Sequence, residues 1–292
     1  MIRLNSFYLV GYLWQTMSMP LPMTNDVFNL LALATAFFYL LSAGFVAIHL
    51  IRTQPLKNTR TLMLITACIS VALHAGLVTN NYWLTRVITD DFFNMLSLVF
   101  LVISLLFFIS ALSKPIETLA IIVFPFSAAA VLLNIDPTLN QQNNPTLDWQ
   151  IQAHIVFSLL SYSLLSMAAF QAVLLSIQEK QLHNRHLGRF INSLPPMQMM
   201  EKLLFQVISL GLVLLTLALA TGFVFIDDIF AQHLVHKTIL SISAWLVFSM
   251  LLIGRHYYGW RGQKAIRWTY AGYLFLMLAY FGSKFVLQLI LD

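Results

Sequence analysis

The stretch "TLDWQIQAHIVFSLLSYSLL", Thr146–Leu165, opens an apolar run over residues 150–177. A helix needs about 20 apolar residues to cross a bilayer. Lipid offers no partner to an unpaired backbone amide, so a run of this kind is read as a transmembrane helix. It carries an imidazole, His154, about one turn inside its start. Seven further runs have the same character: roughly 27–51, 61–79, 92–112, 116–134, 203–226, 236–254 and 267–290. The fold expected is all-α, a polytopic bundle of eight transmembrane helices forming a single integral membrane domain.

Composition agrees. Of 292 residues, 59% are hydrophobic and 9% charged, with a mean hydropathy of +0.80. A soluble domain carries about a quarter charged residues. The formal net charge of +5 therefore speaks to membrane orientation, and no nucleic-acid partner is expected. The single cysteine, Cys68, excludes an internal disulfide, a C-x-x-C redox pair and a C-x-x-C-H haem-attachment site within the chain. Residues 1–26 are expected to be an interfacial or disordered N-terminal segment, and 27–290 the eight-helix bundle. The 176–202 stretch reads as a long basic loop, and "NIDPTLNQQNNPTLDW" as an irregular one.

The basic residues sort by side. Arg52, Lys57, Arg60, Lys114, Lys180, Arg185, Arg189, Lys202, Arg255, Arg261, Lys264 and Arg267 fall on one face of an eight-span arrangement, 12 of the 16. Eight of the 11 acids lie toward the opposite face. The positive-inside rule then puts both termini on the extracytoplasmic side of the membrane.

Polar residues within spans are costly and default to functional hypotheses. That orientation sets His74, His154 and His236 at similar depth near the outer face. Neutral imidazole binds transition metals and haem iron. Ser158, Ser161 and Tyr162 extend a polar stripe below His154, since residues three, four and seven apart share a helix face. The stripe must face protein or a cavity. Two readings stay open: metal or haem ligation, or hydroxyls and imidazoles tying helices together. Lys284 and Lys237 lie at similar height, and each either snorkels to headgroups or neutralises an acidic ligand such as a haem propionate. His49, His183, His186, His233 and His256 read as interfacial polar residues. Gly211, Ala218, Ala220 and Gly222, with Gly272, Ala279 and Gly282, read as close helix contacts. Trp149 and Trp260 suit the two interfaces, and Arg261 suits anionic headgroups. No G-x-S-x-G, H-E-x-x-H or P-loop is present, and no chain of buried carboxylates suggests ion pumping. No enzymatic turnover is expected.

Two longer stretches, Leu194–Phe225 and Lys237–Phe285, join "AHIVFSLLSYSLL" in a resemblance. The chain resembles the cytochrome c assembly family of membrane proteins, the CcsA/HemX group, and looks most similar to its YpjD-like branch. The tokens are Leu194-Pro195, Leu203, Gly211, Leu215-Thr216, Thr221-Gly222, Trp245, Gly259-Trp260-Arg261-Gly262 and Tyr280-Phe281-Gly282. Asn94-Met95-Leu96-Ser97-Leu98 is a fainter match to the family's S-N-L-Y-E-S-L segment. The resemblance implies haem handling for apocytochrome c, with His154 at the position of an external haem ligand and His74 at a second. His236, Lys237 and Lys284 are the corresponding candidates for the propionate rim, and no metal other than haem iron is expected. Departures accompany it. The family's W-x-W-D-P-K-E-T-W stretch reads "QHLVHKTIL" here, Gln232–Leu240, and keeps only Lys237. The family's intramembrane histidine is Ile253, with His256 a turn away, and its closing external histidine has no counterpart in "LILD". The resemblance therefore implies one haem or none, with other maturation components or apocytochrome c as partners. The alternative is a regulatory or scaffold subunit without haem, linked to control of haem biosynthesis, whose basic 178–202 stretch meets a soluble partner. A small-molecule transporter ranks third.

Overall fold

A computed structural model describes residues 24–51, 58–85, 92–134, 149–183, 194–225 and 232–282. These residues are helical apart from short turns, with no strand among them. The helices are α1 (Asn25–Ile51), α2 (Thr59–Thr85), α3 (Phe92–Ser113), α4 (Ala120–Leu133), α5 (Trp149–His183), α6 (Met197–Phe225), α7 (Gln232–Tyr258) and α8 (Gln263–Met277). A 3-10 turn, Glu117–Leu119, leads into α4, and a π-helical turn, Leu278–Gly282, follows α8. The N-terminal segment to residue 23, residues 135–148, residues 184–193 and Lys284 lie outside the described residues.

Each expected span has its helix. Six are long and apolar enough to cross a membrane. The fourth is shorter, but Glu117–Leu133 as a whole spans about 27 Å, close to the hydrocarbon thickness of about 30 Å. The expected long basic loop is helix over 176–183 and 197–202. α5 runs on to His183 and α6 begins at Met197. At 1.5 Å per residue α5 is about 52 Å long, so it exceeds a bilayer core. Hydropathy marks only the part of such a helix that lies in lipid.

The helices form two four-membered rings. In the first, α1 packs on α2 and α4, and α3 on α2 and α4. In the second, α5 packs on α6 and α8, and α7 on α6 and α8. The rings meet where α3 and α4 lie against α5, with Phe100, Phe126 and Phe170 in mutual ring contact. α5 is therefore the central helix, and its buried face runs from Ser161 to Gln178.

Packing follows the small-residue logic of membrane helices. The strongest pairing, α5 against α6, is antiparallel and held in one register. Ser161 Oγ donates to the Gly211 carbonyl at 3.0 Å, Gln171 Nε2 to Met200 O at 2.8 Å and Gln178 Nε2 to Pro195 O at 3.1 Å. Gly211, Ala218, Gly222, Gly272 and Ala279 are buried as expected, whereas Ala220 turns outward. On α6, residue 220 lies off the 211–218–222 stripe, a consequence of the 3.6-residue period.

Candidate functional site

The register of α5 on α6 sets His154 opposite the last turns of α6. Trp149 and Phe225 touch at the same end, with ring centroids 6.2 Å apart. The half-buried imidazole places Nδ1 2.9 Å from the Ala218 carbonyl. A carbonyl only accepts, so Nδ1 carries the proton and Nε2 keeps its lone pair. Among the described residues Nε2 has one hydrogen-bond neighbour, the Ser158 hydroxyl at 3.5 Å, the outer limit of a hydrogen bond. Thr221 Oγ1 stands 3.4 Å from Nδ1, but its hydroxyl also donates to Leu217 O at 2.8 Å. Gly222 supplies the space: a Cβ there would sit 3.1 Å from His154 Cε1 and 3.3 Å from Nδ1.

The stripe below His154 is built into the bundle. Ser161 is used by Gly211, and the buried Tyr162 packs against Tyr273 of α8 and Tyr280 of the π-helical turn, both centroids at 6.1 Å. On α7, Trp245 Nε1 donates to Thr216 Oγ1 at 2.9 Å, and Arg255 covers the Phe205 ring at 4.8 Å. These contacts fix an antiparallel register that brings the start of α7 to the end of α6. His236 and Lys237 thus lie at the same end of the bundle as His154, His236 exposed and Lys237 half-buried. Lys284, their expected companion, lies outside the described residues.

His74 is elsewhere. It sits fully buried on α2 inside the first ring. Tyr39 Oη of α1 is 3.1 Å from Nδ1, and Ser97 Oγ of α3 is 2.9 Å from Nε2. Tyr39 in turn packs on Phe124 of α4, so all four helices of that ring converge on the pair. Both imidazole nitrogens are engaged by protein. The structure therefore places the two expected ligand histidines in different rings. His256 is exposed and edge-on to Tyr257, and Ile253 is exposed beside it on α7. Among the described residues no group of three His, Cys, Asp or Glu side chains gathers as a metal site.

At the opposite end Arg261, half exposed, has a partner within the chain. Its Nε donates to Glu201 Oε2 at 3.2 Å, and the Gly262 amide donates to Glu201 Oε1 at 2.9 Å. Glu201, buried in the first turns of α6, went unnoticed in the sequence because its partners are some 60 residues away. Gly259 and Gly262 take φ of +63° and +55°, the region glycine adopts without steric cost. Trp260, half-buried, packs tilted against Trp268 with ring centroids 5.2 Å apart, while Trp149 is largely exposed.

An all-helical membrane chain with paired rings and the Leu-Pro, Thr-Gly and Gly-Trp-Arg-Gly positions at its helix contacts defines a class. The model of the family described as cytochrome C assembly protein matches residues 61–291, and the chain belongs to that family. It is 42% identical over 137 residues to "Inner membrane protein YpjD" of Escherichia coli strain K12, covering 47% of this chain and 52% of that protein. The same identity holds for the protein of that name in Escherichia coli O157:H7. An "uncharacterized 28.8 kDa protein in nifR3-like 5'region" of Azospirillum brasilense is 32% identical over 143 residues, 48% of this chain and 53% of that one. The chain thus spans about half the length of the curated relatives it matches. No solved structure matches it.

Proposed function

We propose that the protein handles haem as cargo during cytochrome c assembly, with His154 as an axial ligand. Its site lies at the membrane face where α5 begins, which the basic-residue asymmetry assigns to the extracytoplasmic side of an inner membrane. The observation supporting this reading is the 2.9 Å contact from Nδ1 to the Ala218 carbonyl. It fixes the tautomer and leaves Nε2 as the donor atom, the arrangement usual for metal-bound histidine. The residues fit an iron ligand: a half-buried ring, a lone pair with one weak neighbour, and a glycine that clears the space beside it. Lys237 and His236 suit the acidic propionates at that end. We assign His74 to cohesion of the first ring rather than to iron. The chain orients and holds its cargo, with no turnover of its own and with apocytochrome c or another maturation component as recipient.

Purified protein, supplied with haem, tests this by its Soret absorbance. A band is expected, lost in His154→Ala and restored when imidazole is added to that variant. A wild type that takes up no haem would support the haem-free regulatory subunit instead. A band untouched in His154→Ala sinks the ligand assignment.

A further inference from the structure

The haem reading leaves unused a groove at the opposite, basic end of the second ring. A cavity of about 580 Å³ lies open on the outside of α6 and α7, lined by Lys202, Phe205, Gln206, Ser209, Leu210, Val213 and Arg255. Five of these lie three, four, seven, eight and eleven residues after Lys202, so with it they form one face of α6. The face is graded. Lys202 stands at the start of α6 and Arg255 in the last turn of α7, so both charges lie at one end. Leu210 and Val213, exposed, occupy the deeper part. Arg255 is held over the Phe205 ring at 4.8 Å while Nη1 donates to the Trp260 carbonyl at 3.2 Å. Lys114 reaches the rim, its Nζ 3.5 Å from Gln206 Oε1.

No carboxylate lines this groove. The nearest in sequence, Glu201, is buried and committed to Arg261 and Gly262. Lys202 has no ion pair among the described residues. A second cavity at the same end differs here: its Arg60 is paired with Glu117 at 3.0 Å, which cancels its charge. Uncompensated cations at the headgroup level above an apolar channel match an amphiphile with a negative head and a hydrocarbon tail. We propose that this α6–α7 groove is a binding site for one anionic phospholipid, its phosphate on Lys202 and Arg255 and an acyl chain along Leu210 and Val213. The site is independent of haem.

The test is native mass spectrometry of the delipidated full chain in detergent, titrated with phosphatidylglycerol or with phosphatidylcholine of the same acyl chains. Retention of phosphatidylglycerol over phosphatidylcholine is expected. Lys202→Gln, which removes no contact within the chain, should weaken phosphatidylglycerol binding about fivefold, the effect of one basic side chain near an anionic surface. Lys264→Gln removes an exposed charge at the same end but outside the groove, and should leave binding unchanged. Equal retention of the two lipids overturns the site. So does an equal loss in Lys264→Gln, which would mark diffuse attraction to a basic surface. A lipid-independent dimer would give the groove to a second copy of the chain and also overturn it.

Discussion

A histidine in a membrane helix is defined by what its two nitrogens meet, and this chain holds two opposite cases. His154 gives one nitrogen to a backbone carbonyl and keeps the other, whereas His74 gives both to protein hydroxyls. The difference yields two predictions. Gly222→Ala sets a methyl 3.1 Å from His154 Cε1. The ring must yield, at a cost of about 1–3 kcal/mol typical of overpacking, and the expected readout is lowered haem occupancy or a shifted Soret maximum with the helical circular dichroism retained. His74→Ala takes the partner from Ser97 Oγ in a closed core, leaves Tyr39 Oη with Ser104 alone and opens a cavity. A loss of about 2–4 kcal/mol is expected from the unsatisfied groups and the void, seen as a lower midpoint of thermal unfolding in detergent, with haem binding per folded molecule unchanged. Haem lost in His74→Ala at full stability would return that residue to the ligand set. Sequence marked both histidines as costly polar groups in spans, but it carries no sign of which has both nitrogens occupied. That depends on Tyr39 and Ser97, 35 positions before and 23 after His74.

At the scale of elements, the turn between α7 and α8 shows how a short motif gets its constraint from a distant helix. Gly259 and Gly262 sit at positive φ, and the buried Glu201 clamps the turn through Arg261 and the Gly262 amide. A Cβ on Gly262 would also lie 2.9 Å from Glu179 Oε1, so α5, α6 and the turn meet there. Gly262→Ala should cost about 1–3 kcal/mol of backbone strain. Glu201→Gln should cost a similar amount, since bonds to charged groups are worth about 1.5–3 kcal/mol. Both are measured as lower thermal midpoints, and both should expose the turn to protease in detergent while leaving haem absorbance at the far end unaltered. The motif itself was visible in sequence as Gly-Trp-Arg-Gly, and its glycines announced a tight turn. The reason for its arginine was not visible, because a surface loop rich in cations reads naturally as a headgroup contact when the buried Glu201 is out of view. Helix ends were equally opaque. α5 continues through Ser176–His183, where polar residues end the hydropathic signal but not the helical hydrogen bonding.

For the whole molecule, lipid made the spans legible and concealed their arrangement. As far as it is described, each of the eight apolar runs is a helix, the eighth to Gly282, since nothing else satisfies a backbone in hydrocarbon. Their grouping into two rings hinges on contacts such as Gly211 with Ser161 and Phe100 with Phe170: the pattern marks Gly211 and Ser161 as facing protein but does not pair them, and it does not mark the two phenylalanines at all. The orientation is a separate matter, resting on charge alone, and the side on which His154 opens depends on it. Single cysteines decide it once the exposed native thiol is removed by Cys68→Ser. An impermeant maleimide applied to intact cells should label Asn140→Cys and Asp228→Cys, and should reach Leu56→Cys and His186→Cys only after lysis. The inverse pattern would place His154 on the cytoplasmic side and remove the case for delivery to an exported apocytochrome. Position 140 carries a second judgement. It follows α4, the short helix whose 17-residue run from Glu117 to Leu133 just matches the bilayer core. Labelling of 186 in intact cells, with 56, 140 and 228 reached only after lysis, would mean that α4 turns back without crossing and that α5 begins on the inner side, since Trp149 and Phe225 share one end of the bundle.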